Sequence, residues 1–317
     1  MRNHNGTPDI DPSKHELVIH GMVKQPLVFT LNDLMRYPME THIRFVECGG
    51  NSAPIWSKTP IQANVQALHG LLSCSEWTGV KLTTLMQEAG VDPAAKWVIA
   101  EGGDADSMSR SVPMAIAADD AMVALYQNGE RVRPEQGYPM RLLLPGWEGN
   151  MNVKWLRRIK LVEGPVMTKD ETSKYTVLLA SGKSWRFVYP LEVKSVITRP
   201  SPGLNLKGPG FYEISGMAWS GNGKIRSVEV SADGGRSWAQ AALQEPVMSK
   251  AITRFRAPWQ WNGAPAVLQS RATDEHGMVQ PARAALLAER GMRGQYHVNC
   301  IQSWAINDKG EAANVFA

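Results

Sequence analysis

The stretch FVECGGNSAPIW, residues 45–56, places one of only three cysteines in a 317-residue chain directly before two glycines, an Asn and a Ser. Taken by residue type, a free cysteine is most often a small buried hydrophobe. The surroundings of Cys48 argue otherwise. Gly49 and Gly50 remove side chains and permit left-handed backbone angles, and Asn51 and Ser52 can hydrogen-bond the turn they sit in. The strand-like run HIRFVE then delivers Cys48 at its end, into a loop open to a bulky ligand. A thiolate so placed can act as a nucleophile or bind a soft metal. A nucleophile wants a histidine base, yet none of the seven histidines sits in a cysteine-hydrolase signature. His15 and His20, five apart on an expected strand, face opposite ways and make a poor metal pair. His69 and His276 read as surface or core residues. Cys74 and Cys300 receive no chemistry; a buried structural thiol is the reading for Cys300.

The basic candidates are scattered: Arg2 and His4 at the start, Arg141 after GYP, Lys154 in NVKW and Arg293 in GMRG. Each alone reads as a solvated charge. Arg141 stands out because it opens the apolar run LLLP, and a buried cation needs an anionic partner, such as a phosphate-bearing cofactor.

The elements that must hold these groups fall into two kinds. HELVIHGMV alternates like a strand, QPLVFTLNDLMRYP leads into a short helix ending before Pro38, and VKLTTLMQEAG has helical spacing with Gly90 as its C-cap. KWVIAEGG and YPMRLLLPG read as buried strands, and KWLRRIK as a strand with one solvated face. No GxGxxG opens a helix, so a Rossmann fold is not indicated. After about residue 190, short alternating runs are punctuated by PSPG, GPG, SGNG and ADGG. Val228 and Val230 should face one side, with Ser227, Glu229 and Ser231 on the other, and the DGG at 233–235 predicts a hairpin turn. The expectation is an α+β domain over 1–190 and an immunoglobulin-like β-sandwich over 191–317, with the boundary between Tyr189 and Pro202.

Composition excludes several classes. A net charge of +4, from 34 basic and 30 acidic residues, is too small and too evenly spread for a nucleic-acid binder. No apolar run is long enough for a membrane span. The absence of CxxC, CxxCH and paired zinc spacings excludes a disulfide framework, and places any haem on another chain. The opening MRNHNGTP carries no secretory signal, as a trimmed exported protein also would not.

Six motifs in order resemble the sulfite oxidase family of molybdenum enzymes: RNH (2–4), ECGGN (47–51), EGGDAD (101–106), NG…GYPMRLLLPG (128–146), NVKW (152–155) and AWSGNGKIRSVEVSADGGRSW (218–238). ALHGLLSCSEWTGVKL and YHVNCIQSW look most like its SoxC branch, the molybdenum subunits of sulfane dehydrogenases. The resemblance implies a molybdenum–molybdopterin cofactor, with Cys48 as the metal ligand. It puts pterin and phosphate contacts on Arg2, Asn3, His4, Asp104, Arg141, Asn152, Val153 and Lys154, with Gln136 where the family has a histidine. It puts an active-site tyrosine on Tyr175 and substrate-facing arginines on Arg293 and Arg2. It further implies oxygen-atom transfer to sulfur, a SoxD-like c-type cytochrome as electron acceptor, a SoxYZ-like sulfur carrier, a homodimer through the sandwich, and a periplasmic home.

Two departures bear on substrate. Ala53 stands where the sulfite oxidases place an arginine, and Lys174 where an acid precedes their tyrosine. A charge-assisted hydrogen bond is worth about 1.5–3 kcal/mol, so loss of that arginine should weaken free sulfite binding by about ten- to a hundredfold. The roomier, less cationic pocket favours carrier-bound sulfane sulfur. The rival expectations are a plain sulfite dehydrogenase, a cofactor-free binding or assembly protein, and a cysteine hydrolase.

Overall fold

The computed structural model describes residues 5–179, 181–185, 190–292 and 296–317. Arg2, Asn3, His4 and Arg293 lie outside the described residues. The chain packs as two compact units, residues 1–43 with 75–176, and residues 44–74 with 177–317. It leaves the first unit within the strand Glu40–Glu47 and returns within Leu72–Lys81. Strands dominate, and the longest helices among the described residues, Leu82–Ala89 and Arg283–Arg290, have eight residues each. No helix among the described residues is long and apolar enough to cross a membrane.

The first unit is built on a five-stranded sheet in the order Leu27–Thr30, Glu16–Gly21, Leu156–Val162, Trp97–Gly102, Ser109–Pro113. Glu16–Gly21 and Leu156–Val162 run parallel, and the other pairs are antiparallel. In LRRIKLV, Leu156, Ile159 and Leu161 are buried while Arg157, Arg158 and Lys160 are exposed; strict alternation fails at Arg157–Arg158, where a register shift interrupts the pairing. A second set pairs Met122–Gln127 with Trp77–Lys81 on one side and Arg141–Leu143 on the other. The short helix Leu31–Leu34 starts at a capping box, in which Thr30 accepts from Asp33 N–H and the Asp33 carboxylate accepts from Thr30 N–H. Leu82–Ala89 ends at Gly90, whose φ of 71° meets the C-cap requirement.

The second unit is a sandwich of two antiparallel sheets. One is ordered Lys194–Arg199, Gly210–Trp219, Thr253–Trp261, Ala242–Leu243, and the other Ala239–Gln240, Ile225–Ser231, Ala266–Asp274, Ser303–Ile306, Ala312–Val315. Val228 and Val230 face inward. Ser231 is buried too, because its hydroxyl is spent inside the turn, accepting from Gly235 N–H at 2.8 Å and donating to Asp233 at 2.7 Å. Gly234 and Gly235 take φ of 74° and 87°, and the hairpin closes through Val230 opposite Ala239. Three buried tryptophans anchor the unit, each with its indole N–H satisfied: Trp219 on Glu47, Trp261 on Ala264 O and Trp304 on Ile197 O. Phe45 and Leu68, from the segment that carries Cys48, are buried in this same core.

Candidate active site

Cys48 is exposed at the end of its strand, while Glu47 beside it is 3% exposed. Its N–H donates to Leu71 O at 2.9 Å, and its carbonyl accepts from Asn51 N–H at 2.8 Å to close the turn. The left-handed residue of this turn is Ser52, with φ of 65°. Gly49 and Gly50 are not left-handed, contrary to the conformational role expected of them. A Cβ at Gly50 would lie 3.9 Å from Cys48 Sγ, an ordinary contact, so the turn itself does not demand glycine there. The Gly49 carbonyl accepts from His297 N–H at 2.7 Å.

The loop rests on a buried polar network that the sequence did not announce. The Glu47 carboxylate accepts from Asn51 Nδ2 at 2.8 Å, Lys194 Nζ at 3.0 Å and Trp219 Nε1 at 2.7 Å. Lys194 also donates to Ser52 Oγ at 2.7 Å, Ser52 Oγ pairs with His69 Nδ1 at 2.6 Å, and His69 Nε2 pairs with Gln302 Oε1 at 3.2 Å. Gln302 Nε2 donates onward to Asn314 Oδ1 and Ser303 O, so Oε1 is its acceptor end. The direction of the chain follows: His69 donates from Nε2, accepts at Nδ1 from the Ser52 hydroxyl, and is neutral. Burial, with Lys194 beside it, pushes His69 down to about 3. The sequence indicates a surface or core place for His69 but not its role in this relay, because its partners are 17 and 233 residues away.

Within the first unit, the remaining described cofactor candidates converge. Arg141, 4% exposed, donates from Nη1 to Gln136 O at 3.0 Å and from Nη2 to Asn152 O at 3.0 Å, with its guanidinium carbon 5.0 Å from the Trp77 ring. Its buried Nε has no hydrogen-bond partner among the described residues, and no carboxylate among them offsets its burial. Burial pushes Arg141 down to about 10. Lys154 Nζ donates to Glu135 O at 3.2 Å and sits 4.5 Å from the Trp155 ring. Burial first, and then Arg141, push Lys154 down to about 8, while Asp104 opposes them. Gly137 permits this pairing of cations. With φ of 112°, its absent Cβ would fall 3.0 Å from Lys154 Cβ and 3.1 Å from Arg141 Cβ. Gly102 does the same for Asp104, Val153 and Lys154, whose atoms would lie within 3.4 Å of a Cβ there. The Asn152 side chain is occupied structurally, accepting from Leu144 N–H at 2.8 Å and donating to Glu148 O at 3.0 Å.

A buried arginine with an orphaned donor, beside a half-buried lysine, suits an anionic group such as a phosphate. Among the described residues no cluster of His, Cys, Asp or Glu could hold a metal by itself. A soft metal at Cys48 therefore fits one whose other donors arrive with a cofactor. Tyr175 follows the short helix Lys169–Thr172 and takes a left-handed φ of 43°. The guanidinium carbon of Arg110 lies 5.0 Å from its ring centroid.

Comparison with known proteins assigns the class. Residues 4–169 match the oxidoreductase molybdopterin binding domain, and residues 185–303 the Mo-co oxidoreductase dimerisation domain. The chain belongs to the sulfite oxidase family of molybdopterin oxidoreductases. It is 32% identical over 268 residues to mitochondrial sulfite oxidase of Drosophila melanogaster, covering 78% of this chain and 46% of that protein. It is 30% identical over 293 residues to a nitrate reductase [NAD(P)H] of Hordeum vulgare, covering 82% of this chain and 32% of that one. The chain thus spans about half or less of the length of these curated relatives. Among solved structures, the sulfane dehydrogenase SoxCD from Paracoccus pantotrophus is 45% identical, with a TM-score of 0.95, covering 99% of this chain and 81% of the matched chain.

Proposed function

We propose that this protein is the molybdenum subunit of a sulfane dehydrogenase, oxidising sulfane sulfur held on a carrier protein and passing electrons to a c-type cytochrome. The likeness to SoxCD over 99% of the chain is the observation that carries this reading. A molybdopterin cofactor, when bound, supplies two-electron oxygen-atom transfer to sulfur. The chain's own residues take the remaining tasks. Cys48 is the protein's ligand to the metal, held in place by a turn whose flanking residues, Glu47 and Ser52, are fixed by Lys194. Arg141 and Lys154 anchor the cofactor phosphate, whose negative charge answers the burial of Arg141. Gln136 and Asn152 orient the Arg141 guanidinium through their carbonyls. By resemblance to the family, contacts to the pterin and phosphate also fall to Asp104, Val153, Arg2, Asn3 and His4. Tyr175, Arg293 and Arg2 face the substrate and stabilise the charge that develops on it.

Ala53, where an arginine would favour free sulfite, supports the carrier-bound substrate. The mitochondrial sulfite oxidase relative supports the second reading, a dehydrogenase of free sulfite. The partners that accompany the first reading are a SoxD-like cytochrome, a SoxYZ-like carrier and a second copy of this chain through the sandwich, in the periplasm. The deciding experiment supplies purified enzyme and a c-type cytochrome with either carrier-bound sulfane or free sulfite. Efficient turnover of the carrier-bound sulfur is expected; efficient turnover of sulfite with the carrier ignored selects the second reading.

A further inference from the structure

Arg110 lies on the strand Ser109–Pro113 with its side chain wholly out of solvent. Its Nε, Nη1 and Nη2 have no hydrogen-bond partner among the described residues. The nearest carboxylate, Glu171, has Oε1 at 3.6 Å from Nε. Both oxygens of Glu171 are already engaged, Oε1 by the Ser111 N–H and Oε2 by the Ser111 hydroxyl at 2.9 Å. The Tyr175 ring covers the guanidinium, its centroid 5.0 Å from the guanidinium carbon.

A guanidinium carries five N–H donors in a planar fork, and natural interiors leave very few such donors unmet. A purely structural clamp does not account for this arrangement. Ser111 already fastens Glu171 to the strand, and its hydroxyl also accepts from Val166 N–H at 3.0 Å, so the short helix is docked without Arg110. The unspent donors suit an oxyanion, whose oxygens match the fork. Tyr175 is only half-buried, so turning its ring aside exposes the cation beneath.

We propose that Arg110 is a substrate-binding residue that receives the oxygen atoms of a sulfur oxyanion once the Tyr175 ring moves aside. The proposal rests on Tyr175 facing the substrate. Oxygen transfer moves the charge of the sulfur anion onto new oxygen acceptors, and a fixed planar fork of donors at this position favours the oxygenated form.

The test titrates sodium sulfate, which is not a substrate, into the holoenzyme by calorimetry, alongside steady-state kinetics and molybdenum content. Arg110→Met is expected to weaken sulfate binding by about tenfold or more and to lower kcat by more than it raises KM, with molybdenum per chain unchanged. Arg110→Lys is expected to recover part of the sulfate affinity. The proposal is overturned if wild-type enzyme binds no sulfate, if Arg110→Met binds it as wild type does, or if Arg110→Met loses its molybdenum, which would give the guanidinium to the cofactor. Sulfate binding does not depend on which sulfur compound is turned over, so failure of the carrier-sulfane reading leaves this result standing. A Tyr175→Phe variant with unaltered turnover would remove the role given to Tyr175 while the sulfate titration still reports on Arg110.

Discussion

Lys194 and Glu47 form an ion pair at 3.0 Å with their side chains only 2% and 4% exposed, one residue away from the exposed thiol of Cys48. Two charges out of water tolerate each other's company but not each other's loss. Lys194→Met should therefore destabilise the protein by about 3–5 kcal/mol in denaturant unfolding. The double variant Lys194→Met/Glu47→Gln should recover much of that loss, and a double-mutant cycle reads the coupling directly.

Cys48→Ser separates ligand chemistry from fold. The residue is exposed and its backbone carries the turn, so the cofactor-free protein should melt within about 0.5 kcal/mol of wild type. Elemental analysis of the purified variant should show molybdenum falling well below that of wild type, and turnover should fall with it. A variant that keeps full metal and full activity would remove Cys48 from the centre.

Arg141→Met should act oppositely on the two states of the protein. Without cofactor, the change relieves a buried cation that has no carboxylate partner, so stability should change little. With cofactor, it removes a charge-assisted contact, and retention of the pterin should weaken by about tenfold or more, measured by cofactor release on dilution.

The acid side of the stability profile should report His69. Its folded value of about 3 lies below the ordinary 6.5, so between these the unfolded chain binds more protons than the native one. Stability is fully present above pH 6.5 and drains as pH falls toward 3, by up to about 1.4 kcal/mol per pH unit. His69→Gln should flatten that limb in urea denaturation measured across this range.

The candidate residues that the sequence singles out are those that announce themselves locally. Cys48 before paired glycines, and Arg141 opening an apolar strand, each break the pattern around them. The sandwich was legible for the same reason, with Val228 and Val230 alternating toward a DGG turn. What holds the thiol loop was not legible, because Lys194 is 147 residues from Glu47 and Gln302 is 233 from His69. Arg110 gave no signal either, since a lone arginine in SRSVP reads as a solvated strand charge until Tyr175 and Glu171 are seen against it. The left-handed angle fell on Ser52 rather than on the glycines, as the hydrogen bonds around the turn, and not residue permissiveness alone, select where the chain reverses. The change of composition near residue 190 marks where the sandwich strands begin, but packing also counts residues 44–74 with that unit, which a linear reading does not reveal.

That last feature governs how the gene can be divided. Cutting between residues 176 and 177 would give a front fragment bearing Phe45 and Leu68 without Trp219, Phe255 or Trp304 to shelter them. Such a fragment would present sticky apolar surface around the very thiol it was meant to display, and co-expression of the two halves, rather than either one alone, is the route to a metal-competent preparation.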